Sequence, residues 1–557
     1  MKINKIFLLA CASVLTVSCA DLDTEPQGST VTADQKAEVA ANDPSKVSAS
    51  VTGITTMFSV FQKGTTAHSD FGYPSTMLFN DSRGTDLIGF DIGYNWFSSA
   101  LSLADRGLNA YGSYFAWTNA YNQIFAANAV IGQIDAETDN STLQFYLAQA
   151  LAIRAFDYFN LAQQFQFTYK GNEDAPCVPV ILDTNADEAG TNGIARNTVS
   201  EVYEQIMADL NLTVSLLEKS TEVRADKRYV DLAVAYGLRA RVELVMQNWS
   251  AAAADAQAAI DATSASPASI DDVSKPTFSD SSENNWMWGI VIAETDRVVT
   301  SGIVNWPSHM GSLNYGYASV GAWRLINPSL YNEINATDAR KGWFLDASGK
   351  SKNLSTQQQS YITSTAKAPA YTQVKFASYK DEVYTSTNAN DIPLMRVEEM
   401  YLILAEAQAM GGNPSAGKTT LETFVKTYRD PAYTCSASSA EGVQDAVWIQ
   451  RRIELWGEGL SYFDLMRLRK GIDRASTLFS TVDPDKKLQN YNYRIQDTPA
   501  AERTAIQAVM NGQGSMTGAD INYLIYQIPN EEIQSNKLIN DEDNNLGVAQ
   551  LVPVPVN

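Results

Sequence analysis

The chain contains 557 residues, of which 45% are hydrophobic and 19% are charged, and it has only four cysteines and two histidines. This composition excludes a disordered tail, a collagenous fibre, a disulfide scaffold and a polytopic membrane protein. The formal net charge of −22 would repel the phosphates of DNA, RNA or acidic lipids, so no nucleic-acid partner is expected.

The amino terminus has the pattern of a secretory signal peptide. Residues 1–18 begin with Lys2 and Lys5, continue through an apolar run, and end with a small residue directly before Cys19. The apolar run is too short to span a bilayer stably. A cysteine at this place resembles the bacterial lipoprotein signal, which implies that Cys19 is acylated after cleavage. Ordinary secretion with a free Cys19 is the alternative.

Residues 19–50 are predicted to form the lipidated cysteine and a flexible tether. The segment from 20 to 50 contains no aromatic residue and is rich in Ala, Ser, Thr, Asp and Pro, which is typical of a linker. Asp21 and Asp23, directly behind the cysteine, resemble the surface-export signal of bacterial lipoproteins. These features predict a single body over residues 51–557, anchored to the outer membrane by lipid and exposed at the cell surface.

Much of the body shows helical periodicity. Apolar residues recur at helical spacing from Trp117 to Ile134, and Thr198 with Glu201 forms a capping box before a further helix. Such helix pairs predict a mainly α fold, with a TPR-like scaffold of helical hairpins over about residues 112–262 and 395–471.

The interval 263–394 departs from this periodicity. It is rich in Ser, Thr, Asn and Tyr, which predicts a large irregular insertion with short strands at Trp286–Ile292 and Tyr371–Phe376. Residues 472–557 complete the body as a C-terminal region.

One local motif matches a nucleotide-binding loop but is interpreted as a turn between helices. Residues 412–419 satisfy the pattern GxxxxGK[ST], which binds phosphate only when a buried strand precedes it. Residues 400–410 have the composition and spacing of a helix instead, so we expect a helix end here and a new helix opened by Pro414.

The remaining motifs give no catalytic or metal site. HExxH, CxxC and GxSxG are absent, and the two histidines, His68 and His309, lie far apart in the sequence. Asp541, Asp543 and Asn545 alternate like the start of a calcium loop but lack its further ligands, so a polar surface turn is expected. Carboxylates are plentiful, and a glycosidase pair stays open because its members need only be close in space.

Two C-terminal segments, residues 396–429 and 450–471, carry a family resemblance. Their matching positions are Arg396, Glu399, Ala405, Glu406, Ala407, Arg451, Glu454, Leu455, Glu458, Gly459, Asp464, Leu465 and Arg467. Earlier and later agreement is found at Arg154, Ala155, Leu161, Pro179, Asp209, Leu210, Asp338, Arg340, Pro529, Glu532, Ile533 and Asn536. With these features the mature chain resembles the SusD/RagB family of outer-membrane lipoproteins.

Three positions depart from the family pattern. Gln450, Ser461 and Lys537 stand where the family often has Glu, Arg and Pro. A missing arginine would leave Glu458 or Asp464 to find another partner, which puts one expected network of buried ion pairs in doubt.

The resemblance implies a cell-surface binding protein that captures oligosaccharides and feeds them to a SusC-like TonB-dependent transporter. It implies no catalysis and no cofactor. Capture of peptides, as in RagB-like members, is the alternative, and an enzyme that cleaves glycans is a more remote one.

A sugar site needs exposed flat aromatic rings for the C–H faces of the pyranose and planar polar groups for its hydroxyls. Two non-periodic stretches, around residues 81–96 and 306–317, supply both. We expect Trp96 and Trp306 to be stacking platforms, with Arg83, Asn95 and Tyr315 beside them. Trp117 on its helical stripe, and Trp286 with Trp288 on a strand, are expected to be packing residues.

Overall fold

The computed structural model describes residues 33–63, 67–89, 94–101, 103–470 and 524–545. The predicted signal peptide, Cys19 and most of the C-terminal region lie outside these residues. Among the described residues, no helix is both long enough and apolar enough to cross a membrane.

The described part is mainly helical, as predicted. The longer helices are α1 (Ala33–Asn42), α2 (Ser45–Thr56), α3 (Tyr73–Arg83), α5 (Tyr111–Ile131), α6 (Ser141–Phe165), α8 (Val199–Lys219), α9 (Leu232–Met246), α10 (Trp249–Ala262), α16 (Val397–Met410), α17 (Pro414–Tyr428) and α18 (Ala440–Glu454). Shorter helices are α4 (Ser98–Leu101), α7 (Ala186–Asn192), α11 (Ile270–Val273), α12 (Arg297–Thr300), α13 (Trp306–Met310), α14 (Pro328–Glu333), α15 (Thr356–Ser360), α19 (Ser461–Arg467) and a C-terminal helix, Asn530–Ser535.

The long helices pack against their neighbours in the chain. Helix α5 packs on α6, α6 on α8, α8 on α9 and α9 on α10, and α10 then packs on α16, which contacts α17 and α18. The predicted capping box opens α8, because the Thr198 side chain accepts from Glu201 N and the Glu201 carboxylate accepts from Thr198 N. Helices thus make up much of the described residues in both ranges for which the sequence predicts helical hairpins.

Four short strands form two antiparallel pairs. Strand β1 (Leu87–Gly89) pairs with β3 (Arg324–Ile326), and β2 (Trp286–Ile290) pairs with β4 (Ile392–Arg396). Trp286 and Trp288 are fully buried on β2, and Trp117 is buried on α5, as predicted. The strand predicted at Tyr371–Phe376 is wrong, since Thr372, Gln373 and Phe376 make only isolated bridges to three different segments.

The predicted tether is also wrong in its second half. Residues 33–42 form α1 and residues 45–50 begin α2, and Val47, Val51 and Ile54 of α2 are buried in the core. These three apolar residues stand at positions i, i+4 and i+7, which is the spacing of one helix face. The polar composition of the segment concealed this stripe.

The phosphate-loop pattern is a turn between two helices, as predicted. Helix α16 ends at Met410, and α17 begins with Pro414 after Asn413, whose side chain accepts from Ala416 N. Gly417 is buried against α16, where an added Cβ would lie 2.4 Å from the carbonyl oxygen of Ala405. This glycine permits close packing of α17 on α16.

Arginines and carboxylates form a buried ion-pair cluster where α16, α17 and α18 meet the insertion. Glu454 accepts from Arg340, Arg396 and Arg429 at 2.7–3.2 Å, and Glu458 pairs with Lys375 at 2.6 Å and with Arg396 at 2.8 Å. Glu458, which the departures from the family pattern were expected to leave without an arginine partner, therefore has two cationic partners.

The unusual residues find polar partners of their own. Gln450 accepts from Arg340 at 2.5 Å, and the Ser461 hydroxyl donates to Asp81 at 3.2 Å. Burial raises the pKa of the Asp81 carboxyl to about 7. Asp464 pairs with Arg451 at 2.6 Å and with Arg467 at 2.8 Å.

Within the described ranges, Cys177 and Cys435 are both buried and form no disulfide with each other.

Candidate functional site

Five aromatic side chains are exposed in the described part of the chain: Tyr94, Trp96, Phe125, Tyr315 and Tyr384. Four of them surround the segment 315–317. Tyr94 lies 6.4 Å from Tyr317, and Tyr315 lies 5.1 Å from Tyr384, measured between ring centroids. We name Tyr94, Trp96, Tyr315 and Tyr384 the aromatic ledge.

Trp96 is 42% exposed and stands on a histidine. Its indole stacks on the His68 imidazole with centroids 4.6 Å apart and planes inclined by 29°. Nδ1 of His68 is hydrogen bonded to the Tyr317 hydroxyl. One face of the indole is thus supported by the protein, which leaves the ring held in place while part of it faces solvent.

His309 supports the ledge from below. It is fully buried and stacks on Tyr317 with centroids 4.5 Å apart, and its Nε2 is 2.8 Å from the backbone oxygen of His68. Burial lowers the pKa of His309 well below its ordinary value, so its ring is neutral at pH 7. The two histidines, far apart in sequence, therefore hold Tyr317 between them.

A tight turn presents Trp96 to solvent. The Asn95 side-chain oxygen accepts from Phe97 N at 3.1 Å, which is a typical asparagine turn. Phe97 is fully buried and packs against Phe71 and Phe79. Because Phe97 anchors the turn in the core, its neighbour Trp96 is left outside.

The other half of the ledge is built by two paired loop segments. Tyr315 N donates to Thr385 O at 2.9 Å, and Tyr384 N donates to Leu313 O at 2.7 Å. The two rings meet edge to face at 77°. Tyr384 has a φ of 63°, a backbone conformation that bulky residues rarely adopt and that is enriched at functional sites.

A polar cleft of about 700 Å³ lies between residues 266–292 and 377–391. Glu283 on its wall accepts from Phe278 N and Ser279 N, and Asp391 accepts from Ile292 N. Burial raises the pKa of both carboxyls. These carboxylates order the surrounding loops.

The prediction that Trp306 is an exposed platform is wrong. Asn305 caps α13 and Pro307 follows Trp306 at its start, so the indole lies in a helical turn, is 3% exposed and packs edge-on against Phe376 at 4.8 Å. The lack of periodicity around Trp306 predicts a loop, whereas a short capped helix buries the indole.

The predictions that Arg83 and Asn95 contact ligand directly are wrong as well. Arg83 is fully buried, lies 4.5 Å and 4.2 Å from the ring centroids of Tyr462 and Tyr526, and donates to Leu524 O at 2.6 Å. Asn95 is 4% exposed and points inward. Of the five predicted ligand residues, only Trp96 and Tyr315 reach the surface.

Sequence reasoning missed other members of this site. Tyr94 is a direct neighbour of the chosen tryptophan, and Tyr317 follows Tyr315 by two residues, so both stood within the chosen stretches. His68 was not among the residues expected at the site. Tyr384 had no sequence signal, since only the pairing of its loop with residue 313 brings it to Tyr315.

No group of three or more His, Cys, Asp or Glu side chains that could hold a metal is found in the ranges that the structure describes. In the suspected calcium loop, Asp541–Asp543 form an exposed 3₁₀ turn, and the Asn545 side chain donates to Phe165 O and Tyr526 O at 2.7 Å.

Two family models match the chain. Residues 92–244 match a family described as starch-binding and associating with the outer membrane, and residues 313–547 match the SusD family. A search of curated protein sequences finds no match.

Solved structures share the fold. A SusD superfamily protein from Bacteroides thetaiotaomicron has a TM-score of 0.66 at 19% identity and covers 93% of this chain and 100% of its own. A SusD-like carbohydrate binding protein from Bacteroides vulgatus has a TM-score of 0.63 at 23% identity, with 77% and 84% covered. Surface glycan-binding protein A from Bacteroides thetaiotaomicron, solved with laminarihexaose, has a TM-score of 0.59 at 16% identity, with 90% and 99% covered.

Both family models match in chain order, and the solved structures of that family have the same mainly α fold. The chain belongs to the SusD/RagB family.

Proposed function

We propose that this protein is a cell-surface glycan-binding lipoprotein that captures oligo- or polysaccharide and hands it to a SusC-like TonB-dependent transporter. The aromatic ledge carries the proposal. Trp96 and Tyr315, with Tyr94 and Tyr384, offer flat rings to solvent, and such rings stack on the apolar C–H faces of pyranoses.

The comparisons support carbohydrate as the ligand class. One matching family is described as starch-binding and associating with the outer membrane, and a structural relative was solved with laminarihexaose. The net charge of −22 disfavours polyanionic glycans, so we propose a neutral one. The lipid anchor on Cys19 and the transfer to a transporter rest on the amino-terminal pattern and the family.

The ledge suits weak capture. A few stacked rings at roughly 1 kcal/mol each, with a few hydrogen bonds of about 1 kcal/mol, give dissociation constants of about millimolar to micromolar after the cost of association. Weak capture fits a protein that must release its cargo. We propose binding without catalysis, so incubation with the bound glycan should release no new reducing ends.

Affinity electrophoresis across a panel of neutral polysaccharides tests the proposal. A polysaccharide in the gel should retard the wild-type protein, and Trp96→Ala should lose about 1 kcal/mol or more of binding while remaining folded. Phe125→Ala is the matched control, because Phe125 is an exposed aromatic residue (68%) on α5 that does not belong to the ledge.

Retention by no polysaccharide, or equal retention of the Trp96→Ala variant, would contradict the proposed function. Proteolysis-derived peptides that copurify with the protein and are lost with Trp96→Ala would instead favour peptide capture.

A further inference from the structure

Arg324 on β3 is a buried cation beneath the aromatic ledge. Its side chain is fully buried, and among the described residues its hydrogen-bond acceptors are the neutral oxygens of Asn95 and His309. Burial lowers the pKa of its guanidinium to about 9, which leaves it charged at pH 7. A buried charge is costly unless hydrogen bonds or a counterion compensate it, so its two hydrogen-bond acceptors matter for how the guanidinium is held.

The Arg324 guanidinium contacts both the turn that carries Trp96 and the buried His309. Nη1 donates to the Asn95 side-chain oxygen at 3.0 Å, and Nε donates to the backbone oxygen of His309 at 3.2 Å. Asn95 begins the turn that presents Trp96, while His309 stacks beneath Tyr317. Arg324 therefore links the residue before Trp96 to the histidine that stacks on Tyr317.

The backbone is shaped for this contact. Gly89 lies opposite Arg324 in the β1–β3 pair, and a Cβ at Gly89 would lie 2.8 Å from Nη1 of Arg324 and 3.1 Å from Nδ2 of Asn95. The absence of a side chain at position 89 lets the guanidinium and the amide approach each other. Asn95 Nδ2 and Arg324 Nη2 are buried and find no hydrogen-bond partner within the part of the chain that the structure describes, so this contact is kept at the expense of other polar interactions.

We propose that Arg324 and Asn95 are positioning residues that fix the orientation of Trp96 and thereby set the affinity of the ledge for a sugar ring. This inference rests on the proposed function. A side chain that is already held still loses less conformational entropy when a ligand stacks on it, so pre-organisation strengthens binding without a new contact.

Asn95→Ser against Asn95→Asp tests the proposal. Serine keeps a short oxygen that can accept from Phe97 N and preserve the turn, but it is too short to reach Arg324. Aspartate has the shape of asparagine and keeps the acceptor for Arg324, so it serves as the conservative variant. Both are measured with a polysaccharide that the wild-type protein binds, beside Trp96→Ala.

Two readouts are compared. The first is affinity, for which Asn95→Ser should bind about three- to tenfold more weakly and Asn95→Asp should match the wild type within about twofold. The second is acrylamide quenching of the fluorescence that Trp96 contributes, obtained as the difference between each variant and the same variant with Trp96→Phe. Quenching should increase in Asn95→Ser without any ligand, and stay unchanged in Asn95→Asp.

The outcomes separate this inference from the proposed function. If Trp96→Ala lowers affinity but Asn95→Ser leaves both affinity and quenching unchanged, the positioning role is overturned and glycan capture stands. If Trp96→Ala leaves affinity unchanged, the ledge is not the site and both proposals fail. If Asn95→Ser does not fold, Gly89→Ala, which crowds the same contact from the strand, replaces it with the same expectations.

Discussion

At the scale of single residues, Asp157 is a buried carboxyl in the middle of α6. Its side chain is 2% exposed, its Oδ2 has no hydrogen-bond partner, and it has no ion pair among the described residues. Burial raises its pKa well above the ordinary value for aspartate. The folded protein therefore holds a proton here that the unfolded chain releases near pH 4.

We expect Asp157→Asn to stabilise the protein at neutral and alkaline pH. A raised pKa in the folded state means that the free energy of unfolding of the wild type falls as pH rises above about 4, by up to about 1.4 kcal/mol per pH unit, until the folded-state pKa is reached. Asparagine does not titrate, so position 157 adds no such pH dependence to the free energy of unfolding of the variant. In urea unfolding, the free energy of unfolding of Asp157→Asn minus that of the wild type should be larger at pH 8 than at pH 4 by more than about 1 kcal/mol. An equal difference at both pH values would contradict this assignment.

At the same scale, the ledge shows that residue type and local pattern do not by themselves predict which aromatic rings are exposed. Trp96 and Tyr315 were chosen because rings outside periodic segments are available for stacking, and both are exposed. Trp306 met the same criterion and is buried, since exposure depends on which neighbours cover a ring. Asn95 was expected at the ligand and instead binds Arg324, which is distant in the sequence.

At the scale of elements, the contact between α16 and α17 explains a misleading sequence motif. Gly417 packs against the Ala405 carbonyl and the Ala409 side chain of α16, while Lys418, the next residue, is partly exposed. The glycine of the GxxxxGK[ST] pattern is thus a helix-packing residue, and the lysine has no comparable role in the fold.

Substitutions at these two neighbouring positions should differ in effect. Gly417→Ala would force a Cβ to within 2.4 Å of the Ala405 carbonyl oxygen, and we expect a loss of about 1–3 kcal/mol in the free energy of unfolding. Lys418→Ala should change it by no more than about 0.5 kcal/mol. Thermal unfolding of both variants checks this. Loss of stability with Lys418→Ala alone would show that the lysine, and not the glycine, is the structural residue.

At the scale of the whole molecule, the buried ion-pair cluster joins parts that are distant in the sequence. Glu454 of α18 binds Arg340 in the insertion, Arg396 at the end of β4 and Arg429 after α17. Burial alone would raise the pKa of Glu454, but the guanidinium of Arg429, followed by those of Arg396 and Arg340, holds it well below its usual range.

We expect Glu454→Gln to destabilise the protein by about 3–5 kcal/mol, because three buried guanidiniums lose a shared counterion. A lowered folded-state pKa means that this contribution is present above the unfolded pKa of about 4.3 and is lost as pH falls, so the difference between variant and wild type should shrink in acid. Urea unfolding at pH 7 and pH 4 measures it. Glu137→Gln, in an exposed turn, is the control, and equal effects of the two variants would contradict a central role for Glu454.

The helical scaffold was predictable because its signals are local. A stripe of apolar residues, a capping box before α8 and a proline at the start of α17 act within one or two turns, so the sequence alone determined that these segments are helices. The same holds for the turn in place of a phosphate loop. The helices of residues 33–50 were missed because composition was weighed above the spacing of Val47, Val51 and Ile54.

Tertiary structure decided which rings face solvent and which cations lie beneath them. The ledge arises only when the loop of Tyr384 pairs with that of Tyr315, and when β1 and β3 bring Asn95 and Arg324 together. Helix formation depends on neighbours three or four residues apart, whereas burial depends on segments hundreds of residues apart, and a single sequence does not report those contacts.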